Sequence, residues 1–333
     1  MRIALTGGTG HLGQHVIRAL TDAGHSVQLL VRASSSRAPI PTVNGTNVHM
    51  TVVDLANVND IARALQGCHA VVHAAAALTG DQATQHQATV EGTRAVLAAM
   101  QQAGIQRVVG IGSMSVYGYT AMPHGSTLDE HAPLETSPAS RDVYARCKLA
   151  QDALFRHFAQ QPGCEAIVLR PGIFYDADTL WQFSLGKALG QRAWVVMGPL
   201  TPDSEVPLVH VADVAQAVAL ALSCDSELNG SVFNLIESPA PTSQALLQAL
   251  TAQRVHPKLI RLPWTLHLAL AHLARWLAHT LLRGRLPLPG LLNPNWLAAR
   301  FTRVHYDARK AQRQLGWQPV HNALADLAQR PPH

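Results

Sequence analysis

The stretch Ile3-Ala4-Leu5-Thr6-Gly7-Gly8-Thr9-Gly10-His11-Leu12-Gly13 decides the fold. A short apolar run is followed at once by glycines at 7, 10 and 13 and then by a helical pattern, so it reads as strand, tight turn and helix. Glycine at those positions lets the backbone turn sharply, approach a ligand closely and pack the helix on the strand. The helix N-terminus then offers unpaired N–H groups and the positive end of its dipole, which suit a pyrophosphate. Thr6, Gly7, Gly8, Thr9, Gly10, His11, Leu12 and Gly13 are therefore candidate cofactor contacts, with a ligand-free glycine-rich turn as the alternative.

Working outward, apolar runs alternate with helical patterns as far as residue 175. Ile3 to Leu5, Val27 to Val31, Val48 to Val53, Ala70 to Ala74, Arg107 to Ile111 and Ile167 to Leu169 read as strands, with helices near 12–23, 57–66, 86–103 and 142–160. Repeated βαβ units of this kind predict an α/β fold, a Rossmann-type doubly wound parallel sheet covered on both faces. Residues 1–175 are expected to form this domain and 176–333 a smaller C-terminal substrate-binding lobe, with segments near 206–235 packing back on the sheet. Leu262 to Leu282 is strongly apolar, but His267, His272, Arg275 and His279 recur at near-helical spacing, predict a solvated stripe and argue against a membrane span.

The composition sets bounds on function. At 333 residues, 47% hydrophobic and 14% charged, the chain can bury a large core. A net charge of +5 without any run of five or six Lys or Arg argues against nucleic-acid binding. Cys68, Cys147, Cys164 and Cys224 are scattered, which predicts idle thiols and no zinc site. With a strand-like run at the very start and no evident leader, a cytoplasmic protein is expected.

The end of the second strand bears on cofactor choice. A carboxylate about 20 residues after the glycine turn would bind a ribose 2′-hydroxyl. Here the strand ends Leu30-Val31-Arg32, and Ser34 to Ser36 and Arg37 follow. Guanidinium and hydroxyl donors suit a 2′-phosphate, so NADP(H) is preferred, with NAD(H) as the alternative. Asp54, at the end of the third strand, could cap the helix at 57–66. Ala74, Ala75 and Ala76 are further candidate cofactor contacts.

Tyr144-Ala145-Arg146-Cys147-Lys148 places a phenol and an ammonium one helical turn apart. A phenol needs a nearby positive charge to act as an acid or base near neutral pH, and Lys148 is suited to supply it. Upstream, Gly112-Ser113-Met114-Ser115-Val116-Tyr117-Gly118 ends a strand. The glycine spacing, the Y-x-x-x-K pair and this serine segment together resemble the extended short-chain dehydrogenase/reductase family, within the epimerase/dehydratase superfamily. The resemblance implies Ser113 as the catalytic serine beside Tyr144 and Lys148, with Ser115 as its competitor.

The likeness extends further. Asp54-Leu55, ending the third strand, resembles the family's adenine-binding pair, which implies adenine contacts as an equal alternative to the cap. Leu169-Arg170-Pro171-Gly172-Ile173-Phe174-Tyr175 is similar to the family's L-R-P-x-x-x-Y segment and implies that Pro171, Gly172 and Ile173 pass the nicotinamide. Val209-His210-Val211-Ala212-Asp213-Val214-Ala215 and Leu315-Gly316-Trp317-Gln318-Pro319 match two more segments, His210 being expected to be structural. Thr89 stands where asparagine is common, and Tyr175-Asp176-Ala177 replaces the usual Y-G-P.

The segment Gly172 to Tyr175 lacks the asparagine typical of sugar-nucleotide enzymes and looks like the 3β-hydroxysteroid dehydrogenase and dihydroflavonol reductase branches. That implies interconversion of a secondary alcohol and a ketone on a hydrophobic small molecule. The alternatives are a nucleotide-sugar epimerase or dehydratase and a catalytically inactive NADP-binding regulator. Trp264, Leu266, Leu270, Leu273, Trp276 and their neighbours could line an apolar pocket, touch a membrane surface, pack the core or meet a second subunit. By analogy with relatives, a homodimer through the helices at 86–103 and 142–160 is expected.

Overall fold

Strands rich in Val, Ile and Leu need cover on both sides, and the central strands receive it, while the edge strand Val48–Val52 leaves Met50 and Val52 exposed. The computed structural model describes residues 1–35, 48–176, 179, 186–189, 193–196, 198–201, 203–252, 258–282 and 292–329. Its main sheet holds seven strands: β1 Arg2–Thr6, β2 Ser26–Val31, β3 Val48–Val52, β4 Ala70–His73, β5 Arg107–Ile111, β6 Glu165–Pro171 and β7 Val232–Leu235. They run in the order β3-β2-β1-β4-β5-β6-β7, and every neighbouring pair is parallel. The order reverses between β1 and β4, which opens a crevice at their carboxyl ends.

Two apolar layers flank the sheet. On one face α1 (His11–Asp22) contributes Leu12, Val16, Ile17 and Leu20, beside Val211, Val214 and Val218 of a later helix, Val211–Ser223. On the other lie α2 (Val58–Ala64), α3 (Gly92–Ala103) and α4 (Val143–Ala159), contributing Ile61, Val96, Met100, Phe155 and Phe158. The helix expected over 86–103 is divided: Gln82–His86, then a π-helical turn Gln87–Glu91, then α3.

Two of the quoted segments act as fasteners. His210 Nδ1 accepts from Ala212 N at 3.2 Å and caps the helix Val211–Ser223, which we label α5. Asp213 in its first turn takes His321 N and Nδ1 at 3.1 and 2.9 Å, while its carbonyl accepts Trp317 Nε1 at 2.8 Å. A third apolar cluster, including Tyr175, Val206, Leu246 and Leu327, lies beyond the sheet.

The apolar helix α6, Trp264–Leu282, departs from the expected pattern. His267 is only 3% exposed and shares the inward face with Ala271 and Ala278, whereas Leu266, Leu270, Leu273 and Trp276 face out. Small alanines allow close packing of that inward face, so the stripe predicted to be solvated is partly buried. The His279 side chain lies outside the described residues. Among the described residues no helix is long and apolar enough to cross a membrane.

Candidate active site

The glycine turn is shaped by contacts that leave no room for a side chain. Gly7 has φ +75°, and a Cβ there would come within 2.7 Å of the Ala74 carbonyl carbon; one on Gly13 would lie 2.2 Å from Gly7 O. The turn closes through Gly10 N donating to Gly7 O at 3.0 Å. Gly10 then caps α1 without a side-chain bond, and the first turn of α1 carries no acidic residue. The positive end of the helix therefore stays available to an anion, and the site fits a dinucleotide pyrophosphate.

A cleft of about 1370 Å³ opens there. Its walls include Gly7, Thr9, Gly10, His11, Leu12 and Gly13, then Arg32, Asp54, Leu55, Ala74, Ala75 and Ala76, and finally Ser113, Tyr144, Lys148, Pro171, Gly172 and Ile173. Thr6 and Gly8 support this wall from behind: Thr6 is fully buried, and Gly8 fits against Leu29, whose Cδ1 would lie 2.1 Å from an added Cβ. At the end of β2, Ser35 lines the cleft and Ser34 is exposed beside it. Arg37 lies outside the described residues. Asp54 does not cap α2. Its Oδ1 accepts Ala56 N at 2.9 Å, and the cap is Asn57, whose side chain accepts from Asn59 N and Asp60 N.

The catalytic candidates converge from two elements. Ser113, two residues beyond β5, caps the short 3-10 turn Met114–Val116 by accepting Ser115 N at 3.1 Å, which fixes its hydroxyl. Asp142 caps α4 by accepting Ala145 N at 2.8 Å, which sets the register that brings Tyr144 and Lys148 to the cleft. Tyr144 and Ser113 line the same cleft. Burial pushes the Tyr144 phenol above its usual range, and the nearby Ser113 hydroxyl works in the opposite direction. Ser115 also borders the cleft, but its buried hydroxyl makes no hydrogen bond within the described structure.

Lys148 is held from behind. Its Nζ donates at 2.8 Å to Ile111 O and at 2.8 Å to Gln151 Oε1. Gln151 Nε2 donates to Thr93 Oγ1 at 2.8 Å, and Thr93 Oγ1 donates to Thr89 O at 2.6 Å. His73 Nε2 reaches the same Thr93 oxygen at 2.9 Å, and His73 Nδ1 meets Thr6 Oγ1 at 2.8 Å. With the Thr93 proton spent on Thr89 O, His73 must donate from Nε2 and accept at Nδ1. Burial lowers its pKa to about 3, so this imidazole is neutral. Burial likewise lowers Lys148 to about 8, with Asp152 opposing.

Departures from the family pattern find local uses. Thr89 Oγ1 accepts Ala77 N at 3.0 Å and so fixes the wall that follows β4. Asp176 meets His11 Nε2 at 2.6 Å and ties the chain after β6 to the glycine turn.

Residues 3–235 match the NAD dependent epimerase/dehydratase family. The chain belongs to that family. A Stigmatella aurantiaca protein named 4-hydroxy-2-methyl-3-oxo-4-farnesyl-3,4-dihydroquinoline-1-oxide ketoreductase is 30% identical over 95% of this chain and 92% of its own. The 3-beta-hydroxysteroid dehydrogenase of Mycolicibacterium neoaurum is 26% identical over 100% of this chain and 91% of its own. A short-chain dehydrogenase/reductase superfamily protein from Agrobacterium tumefaciens, solved with bound NAD, superposes with a TM-score of 0.71 at 19% identity, covering 98% of this chain and 95% of its own. That last likeness speaks to the fold. As an extended short-chain dehydrogenase/reductase, this member of the epimerase/dehydratase family is an NAD(P)-dependent oxidoreductase.

Several cleft residues of this family member escaped the sequence reading. Tyr119, Trp296, Arg300, Phe301 and Tyr306 line the end beyond Tyr144. Trp296 Nε1 donates to Asp142 Oδ2 at 2.9 Å, so the C-terminal segment is latched to the cap of α4. Nothing local in the sequence marks them, because their meeting depends on how residues 294–306 fold back against Tyr119 and Asp142. The helix α6, expected as a possible pocket lining, contributes no cleft residue among those described.

Proposed function

We propose that the protein interconverts a secondary alcohol and a ketone on a hydrophobic small molecule, using NADP(H). The observation that carries this reading is the convergence of Ser113, Tyr144 and Lys148 on the wall of one cleft that Tyr119, Trp296, Phe301 and Tyr306 also line. Aromatic side chains there favour an apolar substrate body. The ketoreductase and hydroxysteroid dehydrogenase names of the two relatives agree with it.

The bound nicotinamide supplies or accepts the hydride. In the reductive direction the Ser113 hydroxyl donates to the substrate carbonyl oxygen and holds it, and Tyr144 Oη gives that oxygen its proton. The Lys148 ammonium provides the positive charge that stabilises the phenolate left behind. Thr9 to Gly13 and the N-terminus of α1 would hold the pyrophosphate, and Pro171 to Ile173 would border the nicotinamide. Arg32, exposed on the cleft wall where an NAD site would carry a carboxylate, supports NADP(H) over NAD(H). Residues 176–333 serve in this reading as the substrate lobe.

The test is Tyr144→Phe with NADPH and a panel of hydrophobic ketones. Turnover should fall at least ~1000-fold while NADPH affinity stays within about threefold. Retained ketone reduction would remove Tyr144 as the acid, and conversion of a sugar nucleotide without net NADPH use would replace the reaction with an epimerisation.

A further inference from the structure

Helix α6 exposes what a globular helix ordinarily hides. Leu266, Leu270, Leu273 and Leu277 recur at i, i+4, i+7 and i+11 and are 49, 44, 50 and 38% exposed. Trp276 beside them is 61% exposed, and Ile260, on the short strand Lys258–Arg261 that precedes the helix, is 39% exposed. One apolar stripe of this width on a solvent-facing helix marks an interaction surface.

The charge pattern selects the partner. All 21 Asp and Glu residues of the chain lie outside residues 238–306. Within that stretch the described residues include Lys258, Arg261, Arg275, Arg300 and Arg303; Lys258 and Arg261 are exposed on the short strand beside Ile260, and Arg275 is exposed on the side of α6 away from the leucines. A two-fold contact between copies would set this stretch against itself, and its Lys258 and Arg261 would meet like charges with no carboxylate supplied by the same stretch of either copy. An anionic lipid surface meets both needs, because its headgroups attract the cations and its acyl boundary receives Leu and Trp.

We propose that α6 is an in-plane anchor by which the protein docks on anionic lipid bilayers. The helix is also joined to the cleft. Trp264 at its start packs edge-on against Phe301 with ring centroids 5.2 Å apart, and Phe301 lines the cleft. Docking through α6 therefore brings the rim of the substrate cleft to the lipid. This last consequence rests on the proposed reaction; the docking itself does not.

The experiment is vesicle flotation of the full chain with NADPH, using phosphatidylcholine alone or with phosphatidylglycerol added. Wild type should float with the anionic vesicles and sink with the neutral ones, and salt should weaken the binding. Leu270→Glu/Leu273→Glu should bind at least ~10-fold less while keeping its melting temperature and NADPH affinity. Removing Lys258 or Arg261 should cost about fivefold each. Bromolipid should quench tryptophan fluorescence in wild type and quench it less in Trp276→Phe, which covers the case where the double variant fails to fold. Two results overturn the proposal: wild type that stays unbound from anionic vesicles, or a dimer in light scattering that the double substitution splits, which would assign the face to a second copy. Flotation without reduction of any ketone would instead count against the reaction and leave the anchor standing.

Discussion

Lys148 Nζ and Gln151 Oε1 meet at 2.8 Å on adjacent positions of one face of α4, in surroundings that leave Lys148 4% and Gln151 0% exposed. The buried ammonium has a pKa near 8, so it is charged below that pH and neutral above it. Tyr144 is pushed the other way by burial and keeps its proton well past neutrality. The alkaline limb of kcat/KM for NADPH in the reductive direction should therefore fall near pH 8 and belong to Lys148 rather than Tyr144. Gln151→Leu removes an acceptor from the ammonium, a bond worth ~1.5–3 kcal/mol, and should move that limb down by about one to two pH units. Gln151→Glu should move it up. A limb that ignores both substitutions would leave Gln151 with no role in positioning the lysine charge.

Arg32 tests the cofactor reading separately from the chemistry. It lies exposed on the cleft wall after β2, and Ser35 N donates to its carbonyl at 2.8 Å. Loss of a charge-assisted bond to a 2′-phosphate at an exposed site corresponds to about tenfold in affinity. Arg32→Ala should therefore weaken NADPH about tenfold and NADH by less than ~3-fold, as read by fluorescence titration. Equal losses for both cofactors would end the preference for NADP(H).

The parts of the site legible in sequence are those carried by local chemistry. Gly7 is needed because φ is positive and Ala74 is close, and Tyr144 and Lys148 share a face because a helix repeats. Trp296 and Phe301 reach the same cleft from some 150 residues away in the chain, and no local spacing announces that. Asp54 shows the limit at short range. A carboxylate before a helix reads as a cap, yet Asn57 three residues later was better placed to accept the first N–H groups. On α6 the polar stripe is half legible: His272 and Arg275 are exposed as the spacing predicts, whereas His267 packs inward with alanines and Leu266, Leu270 and Leu273 lie outside.

The same helix that carries the catalytic pair is pinned to the sheet by a buried ion pair. Arg170 Nε and Nη2 each donate at 2.8 Å to one oxygen of Asp152, whose side chain is fully buried, while Arg156 approaches the same carboxylate from the exposed side at 2.9 Å. Asp152→Ala strands the Arg170 guanidinium without its counter-charge and should cost ~3–5 kcal/mol in chemical denaturation. Arg156→Ala removes only a half-exposed partner and should cost less than ~1 kcal/mol. Similar losses for the two variants would show that the pair does not fasten α4 to β6.

Glu237 gives the protein a pH-dependent stability apart from its chemistry. The carboxyl is 2% exposed; its Oε2 accepts the Tyr175 hydroxyl at 2.9 Å and Ala323 N at 3.0 Å, and its Oε1 has no hydrogen-bond partner among the described residues. Burial raises its pKa from 4.5 to about 7, against the pull of the two hydrogen bonds. Between those values the folded chain keeps a proton that the unfolded chain releases, so stability falls as pH rises through the window and levels off above about 7. The full effect is at most on the order of 3 kcal/mol. Glu237→Gln cannot titrate, so its melting temperature should lose that decline between about pH 5 and 7. A variant whose melting curve keeps the wild-type slope would show that the proton is taken up elsewhere.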